Sequence, residues 1–125
     1  VAKILVVDDE FGIGELLREV LSDDDHQVVL ATNGRQGLQM IAKEQPDLVF
    51  LDFMMPVLNG AGMLKAMMED PVMAQIPVII MSSLPEASVA ERAHGHVGFV
   101  RKPFPINTIL DVAAAALGGS RKTPD

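Results

Sequence analysis

The chain has 125 residues, 49% of them apolar, with no cysteine, tryptophan or tyrosine, and 10 Lys+Arg against 17 Asp+Glu leave a net charge of −7. That size and apolar content describe one folded domain that needs no covalent staple. The missing cysteines exclude disulfides, thiolate metal sites and a thiol nucleophile; the acidic balance excludes the cationic footprint of a duplex-binding protein; and no apolar run approaches the ~20 residues of a membrane span.

The first apolar run, Ile4 to Val7, is compact and ends abruptly in charge, which predicts a strand buried on both faces. It is too short for a secretory signal, so the expected location is the cytoplasm. Residues 10–22 carry Ile13, Leu16, Leu17, Val20 and Leu21 at helical spacing, weakened by Gly12 and Gly14, and Asp23 to Asp25 close the helix as a polar turn. A second strand is predicted over 28–31, followed after Asn33-Gly34 by a helix over 35–44 that Pro46 stops. A third strand begins at Asp47 and ends in Asp52, and Pro56 and Asn59-Gly60 mark a loop before a helix over 61–69. A fourth strand spans 76–81 and runs into Ser82-Ser83, then a short helix falls within 85–93. A fifth strand, 97–100, runs into Arg101-Lys102-Pro103, and a last helix over 105–117 meets Gly118-Gly119. Residues 1–118 are read as one unit and 119–125 as a tail or the start of a linker.

Strands alternating with helices predict an α/β fold, a doubly wound parallel sheet with helices on both faces. Ligands of such sheets lie beyond the carboxyl ends of the strands. That edge would collect Asp8 and Asp9 from the first strand, Asp52 from the third, Ser82 from the fourth and Lys102 after the fifth. Each residue alone is ordinary as a cap, turn or solvated charge. Together they place three carboxylates in one crevice, where two charges ~4 Å apart repel by about 4 kcal/mol at an effective dielectric near 20. Either one carboxylate holds a proton or a cation sits among them. Hard oxygen ligands point to Mg²⁺ rather than zinc, and a Lys with a hydroxyl beside the metal suits a phosphoryl group. A carboxylate in that setting can be the nucleophile and become an aspartyl phosphate, and Asp52, alone on a central strand, is the candidate.

The motifs VVDDE (6–10), LDFMMPVLNG (51–60), IIMSS (79–83) and FVRKPF (99–104) resemble those of the response-regulator receiver domains of two-component signalling, over residues 3–118. The resemblance implies a five-stranded sheet of order 2-1-3-4-5, as in flavodoxin-like and CheY-like folds. It implies that Asp52 is the phosphoacceptor, that Asp9 binds Mg²⁺ directly and Asp8 mainly through water, and that the Met54 main-chain carbonyl is another ligand. Lys102 would pair with the phosphoryl oxygens, and Ser82 would swing in to hydrogen-bond them. Phe99, three residues before Lys102, would turn inward behind the serine. The implied donors are a histidine kinase or a histidine phosphotransfer protein, which Phe11 and Ile13 would help to dock. The face made by the fourth helix, fifth strand and last helix would bind a downstream protein or a second copy of the domain. No direct nucleic-acid or membrane partner is expected.

The stretch from Ser82 to Lys102 is about two residues shorter than usual in the family, which predicts a shortened or irregular fourth helix. It contains Pro85 and His94-Gly95-His96, the histidines being expected as exposed loop residues. Met54 and Leu84, two residues after Asp52 and Ser82, are apolar and cannot orient a hydrolytic water, which predicts a long-lived phosphate. Methionines cluster between Met54 and Met81, mostly as core filling, with Met67, Met68 and Met73 as candidates for an adaptable surface. Two other functions compete with the signalling role. One is a magnesium-dependent phosphatase passing through an aspartyl phosphate, which would want a second Asp where Met54 stands. The other is a structural receiver that takes no phosphate.

Overall fold

A computed structural model describes residues 2–118; the expected capping glycine Gly119 and the rest of the 119–125 tail lie outside the described residues. The elements are β1 (Lys3–Val7), α1 (Phe11–Asp23), β2 (Gln27–Ala31), α2 (Gly34–Glu44), β3 (Leu48–Asp52), α3 (Gly60–Met68), a 3₁₀ turn (Met73–Gln75), β4 (Val78–Ser82), α4 (Glu86–Ala90), β5 (Gly98–Arg101) and α5 (Ile106–Ala116). The strands pair in parallel in the order β2-β1-β3-β4-β5. β1, β3 and β4 are the near-continuous apolar runs because both of their faces are covered.

Alternation along the strands splits the core into two layers. Ile4, Val6, Phe50, Ile79 and Met81 pack with Leu17 and Leu21 of α1 and Ile109 and Ala113 of α5. Leu5, Val7, Val49, Leu51 and Ile80 pack with Ile41 of α2, Met63, Leu64 and Met67 of α3, and Val89 and Ala93 in and after α4. The methionines serve mainly this second layer. Met67 is fully buried, which removes it from any surface role, and Met68 and Met73 pack against the same cluster.

Helix starts are set by side chains where suitable residues exist. Asn33 Oδ1 accepts the Gln36 N–H at 2.8 Å, and Gln36 Oε1 in turn accepts the Thr32 N–H, a reciprocal cap that fixes α2. Asn59 Oδ1 accepts the Gly62 N–H and starts α3 one residue earlier than its periodicity predicts. β4 begins two residues later than its apolar run, because Pro77 has no N–H to give the ladder and offers only its carbonyl to Val49. α4 is five residues long, as the short Ser82–Lys102 interval predicts.

Between β3 and α3, Val57 adopts φ 70° and is 73% exposed. A β-branched side chain in the left-handed region is strained by roughly 1–3 kcal/mol, and here nothing is gained from burial. Glycine relieves the strain but costs about 0.5–1 kcal/mol of extra unfolded-state entropy. Val57→Gly should therefore raise unfolding free energy by about 1 kcal/mol, a gain that urea denaturation monitored by circular dichroism would detect.

Candidate functional site

The carboxyl ends of β1, β3, β4 and β5 open into a cleft of about 420 Å³ lined by Glu10, Asp52, Met54, Ser82, Ser83 and Lys102 on its polar side. Ile13, Leu16, Pro103 and Phe104 form an apolar wall toward α1 and α5. The strand register produces this convergence. Val7 pairs with Leu51, Asp52 with Met81, and Ser82 with Arg101, so the next residue of each strand emerges at one edge.

Carboxylate oxygens of Asp8, Asp9 and Asp52 lie within 4.8 Å of one another. Asp8 and Asp52 are buried, at 3% and 4% exposure, whereas Asp9 faces solvent. Lys102 Nζ donates to Asp8 Oδ2 at 2.8 Å and lies 3.5 Å from both Asp52 Oδ1 and Glu10 Oε1. The other Asp8 oxygen accepts the Glu10 N–H at 2.9 Å, so both of its oxygens carry a hydrogen bond. This is a hard, all-oxygen donor set next to one ammonium, and it fits a magnesium ion in chemistry and in the open face at Asp9.

Burial pushes the Asp52 carboxyl up from 3.8 to about 7, with the charge of Asp8 acting in the same direction. Lys102 and the Met54 N–H pull it down but do not win. Burial also works against the Lys102 ammonium, yet the Asp8 hydrogen bond and the charges of Asp52, Asp8 and Glu10 outweigh it and raise its pKa. The site therefore holds one firmly cationic group and one carboxyl that is easily neutralised.

Ser82 is buried, and its Oγ accepts the Leu84 N–H at 3.0 Å. Ser83 is exposed, and its carbonyl accepts from Arg101 Nε at 3.4 Å. Of the two serines, Ser82 is thus the one enclosed beside Asp52. Phe99 pairs in register with Ile80, two residues before Ser82 on the same face of β4, and packs half-buried against the core layer of α3 and α4. Leu84 packs half-buried against that same layer, whereas Met54 lines the cleft. Ile13 lines the cleft, and Phe11 is 70% exposed outside it. His94 is exposed and His96 half-buried, and among the described residues neither belongs to a group of three or more metal-ligating side chains.

Glu10 is a cleft residue that the sequence does not single out. It directly follows the acidic pair, but its reach to Lys102 depends on the turn into α1, which periodicity does not specify. In the sequence Leu16 shows only helical periodicity and Phe104 only a motif position, so the apolar wall they form is not visible there.

The response regulator receiver domain family matches residues 4–114. The sporulation initiation phosphotransferase F of Bacillus subtilis is 40% identical over 111 residues, covering 87% of this chain and 88% of that protein. The response regulator MprA of Mycolicibacterium vanbaalenii is 36% identical over 127 residues, and the match spans 98% of this chain but 52% of that longer protein. Among solved structures, the chemotaxis response regulator CheY4 of Vibrio cholerae superposes with a TM-score of 0.87 at 26% identity, covering 93% of this chain and 98% of that one. No helix among the described residues is long and apolar enough to cross a membrane.

Proposed function

Since this chain belongs to the response regulator receiver family, we propose that it takes a phosphoryl group from the phosphohistidine of a histidine kinase or histidine phosphotransfer protein onto Asp52. The observation that carries this reading is the buried Asp52 carboxyl at the floor of an open cleft, with Lys102 3.5 Å away and two further acids beside it. An Asp52 oxygen attacks phosphorus, the bond from phosphorus to the donor's imidazole nitrogen breaks, and that nitrogen keeps the electron pair.

Asp9 and Asp52, with the Met54 main-chain carbonyl, would hold a magnesium ion, and Asp8 would act mainly through water because both of its oxygens already accept hydrogen bonds. The ion, when bound, would supply positive charge to the transferring phosphoryl oxygens. Lys102 would supply a second positive charge, exchanging its hydrogen bond with Asp8 for one with the phosphoryl oxygens. Ser82 is the hydroxyl donor; to reach the phosphoryl group it gives up the Leu84 N–H. Phe99, on the same face, then turns into the space behind it. That rearrangement repacks the α4–β5–α5 face, where a downstream protein or a second copy of the domain would dock. The modification adds about 1.5–2 negative charges, which only a surface that differs between the two packings can read out.

We place the domain in the cytoplasm, with residues 1–118 as the receiver unit and no direct nucleic-acid or membrane contact. The chemistry it catalyses is confined to its own phosphorylation and dephosphorylation. The test is incubation with acetyl phosphate and Mg²⁺ followed by intact mass spectrometry. One phosphoryl group per chain, dependent on Asp52 and on Mg²⁺, is the expected result. Multiple turnover of a small phosphate ester would favour the phosphatase reading, and no mass change would favour a structural receiver.

Met54 lines the cleft, is 59% exposed and offers no hydrogen bond to an attacking water. Met54→Asn supplies such a group and should shorten the phosphate lifetime by about threefold or more. Decay followed by intact mass after donor removal measures it, and an unchanged lifetime would show that water orientation at this position does not limit hydrolysis.

A further inference from the structure

Glu10 occupies the N-cap of α1, but its side chain makes no capping hydrogen bond, and Glu is not among the residue types favoured there. Instead it lines the cleft, and its carboxylate lies 3.5 Å from Lys102 Nζ while the side chain remains 64% exposed. An ion pair that open contributes little to stability. Its position matters for another reason. Glu10 lines the same cleft as Asp52, so a phosphodonor entering it meets the Glu10 charge, and Lys102, the group that would attract the donor, is shared among Glu10, Asp8 and Asp52.

We infer that Glu10 is a specificity-determining residue that selects phosphodonors by charge, disfavouring small, strongly anionic donors. The inference rests on the aspartyl-phosphate reading above. Like charges a few ångströms apart in a water-filled cleft repel by about 1 kcal/mol, enough to change a rate about threefold to tenfold. A protein donor can offset the repulsion with contacts to the apolar wall of Ile13, Leu16 and Phe104, whereas a small dianion cannot.

The test compares two donors on the same protein at saturating Mg²⁺. Acetyl phosphate is a dianion near neutral pH; phosphoramidate carries one net negative charge because its nitrogen is protonated. With either, an Asp52 oxygen bonds to phosphorus, and acetate or ammonia leaves with the electron pair. Taking the ratio of the two rates cancels losses from folding or metal affinity, which lower both alike. Glu10→Gln should raise the acetyl phosphate rate about threefold to tenfold and the phosphoramidate rate less than twofold. The difference should shrink in high salt, where the Debye length falls to ~3–4 Å. Glu10→Asp, which keeps the charge, should hold a ratio close to that of the unmodified protein. Equal changes with both donors, or an unchanged ratio in Glu10→Gln, would overturn the inference while leaving Asp52 as acceptor. No phosphorylation of the unmodified protein by either donor would instead overturn the reading on which it rests.

Discussion

Asp52→Asn should be more stable than the unmodified protein at pH 8, by on the order of 2–4 kcal/mol in the absence of magnesium, and nearly equal to it at pH 4. The folded-state pKa of about 7 lies above the ordinary 3.8, so the folded protein binds a proton more tightly than the unfolded chain does. The associated stability is fully present below about pH 4 and is lost as pH rises through 7. Asparagine has no charge to bury and escapes that loss. Magnesium should reverse the order at pH 8, stabilising the unmodified protein and much less the variant, because the ion compensates the same buried charge. Thermal unfolding at pH 4 and pH 8, with and without Mg²⁺, provides the four values needed. The same substitution should abolish phosphoryl uptake, so stability and activity move in opposite directions at one residue.

Gly60→Ala should cost about 3 kcal/mol and slow phosphorylation as well. A Cβ at Gly60 would lie 2.6 Å from the Asp52 carbonyl oxygen and 2.8 Å from the Phe53 Cα. Both are backbone atoms at the end of the central strand, and the Gly60 N–H already donates to the Phe53 carbonyl at 3.0 Å, so neither side can yield cheaply. The first turn of α3 therefore rests directly against the peptide that carries Asp52, the proposed nucleophile. Relief of the clash must move either the helix or Asp52. Chemical denaturation would report the stability loss, and the phosphorylation rate at saturating Mg²⁺ would report the displacement. A normal rate in a destabilised variant would mean that α3 moves and Asp52 does not.

The convergence of Asp8, Asp9, Asp52, Ser82 and Lys102 is legible in the sequence because each ends or follows a short apolar run, and in a parallel sheet those ends share one edge. The burial of β1, β3 and β4 is legible for the same reason. Less legible are features set by single side chains or by neighbours in space. Asp70 Oδ1 accepts the Val72 and Met73 N–H groups and turns what reads as the approach to β4 into a 3₁₀ turn. Met67 could read as exposed or buried until the packing of α3 on the sheet decided it. Val57 in a left-handed conformation contradicts its own backbone preference and is set by the closure of the β3–α3 loop. Glu10 is the clearest case. Its position next to the acidic pair is visible, but its ion pair with a lysine 92 residues away requires the β5 register.

Chemical identification of the phosphorylated residue tests the central claim most directly. Borohydride reduces an acyl phosphate on aspartate to homoserine, which peptide mapping locates. After phosphorylation in Mg²⁺ and reduction, homoserine at position 52 and nowhere else is the predicted result. Homoserine at position 8 or 9, or phosphate that survives reduction on a serine or histidine, would contradict it.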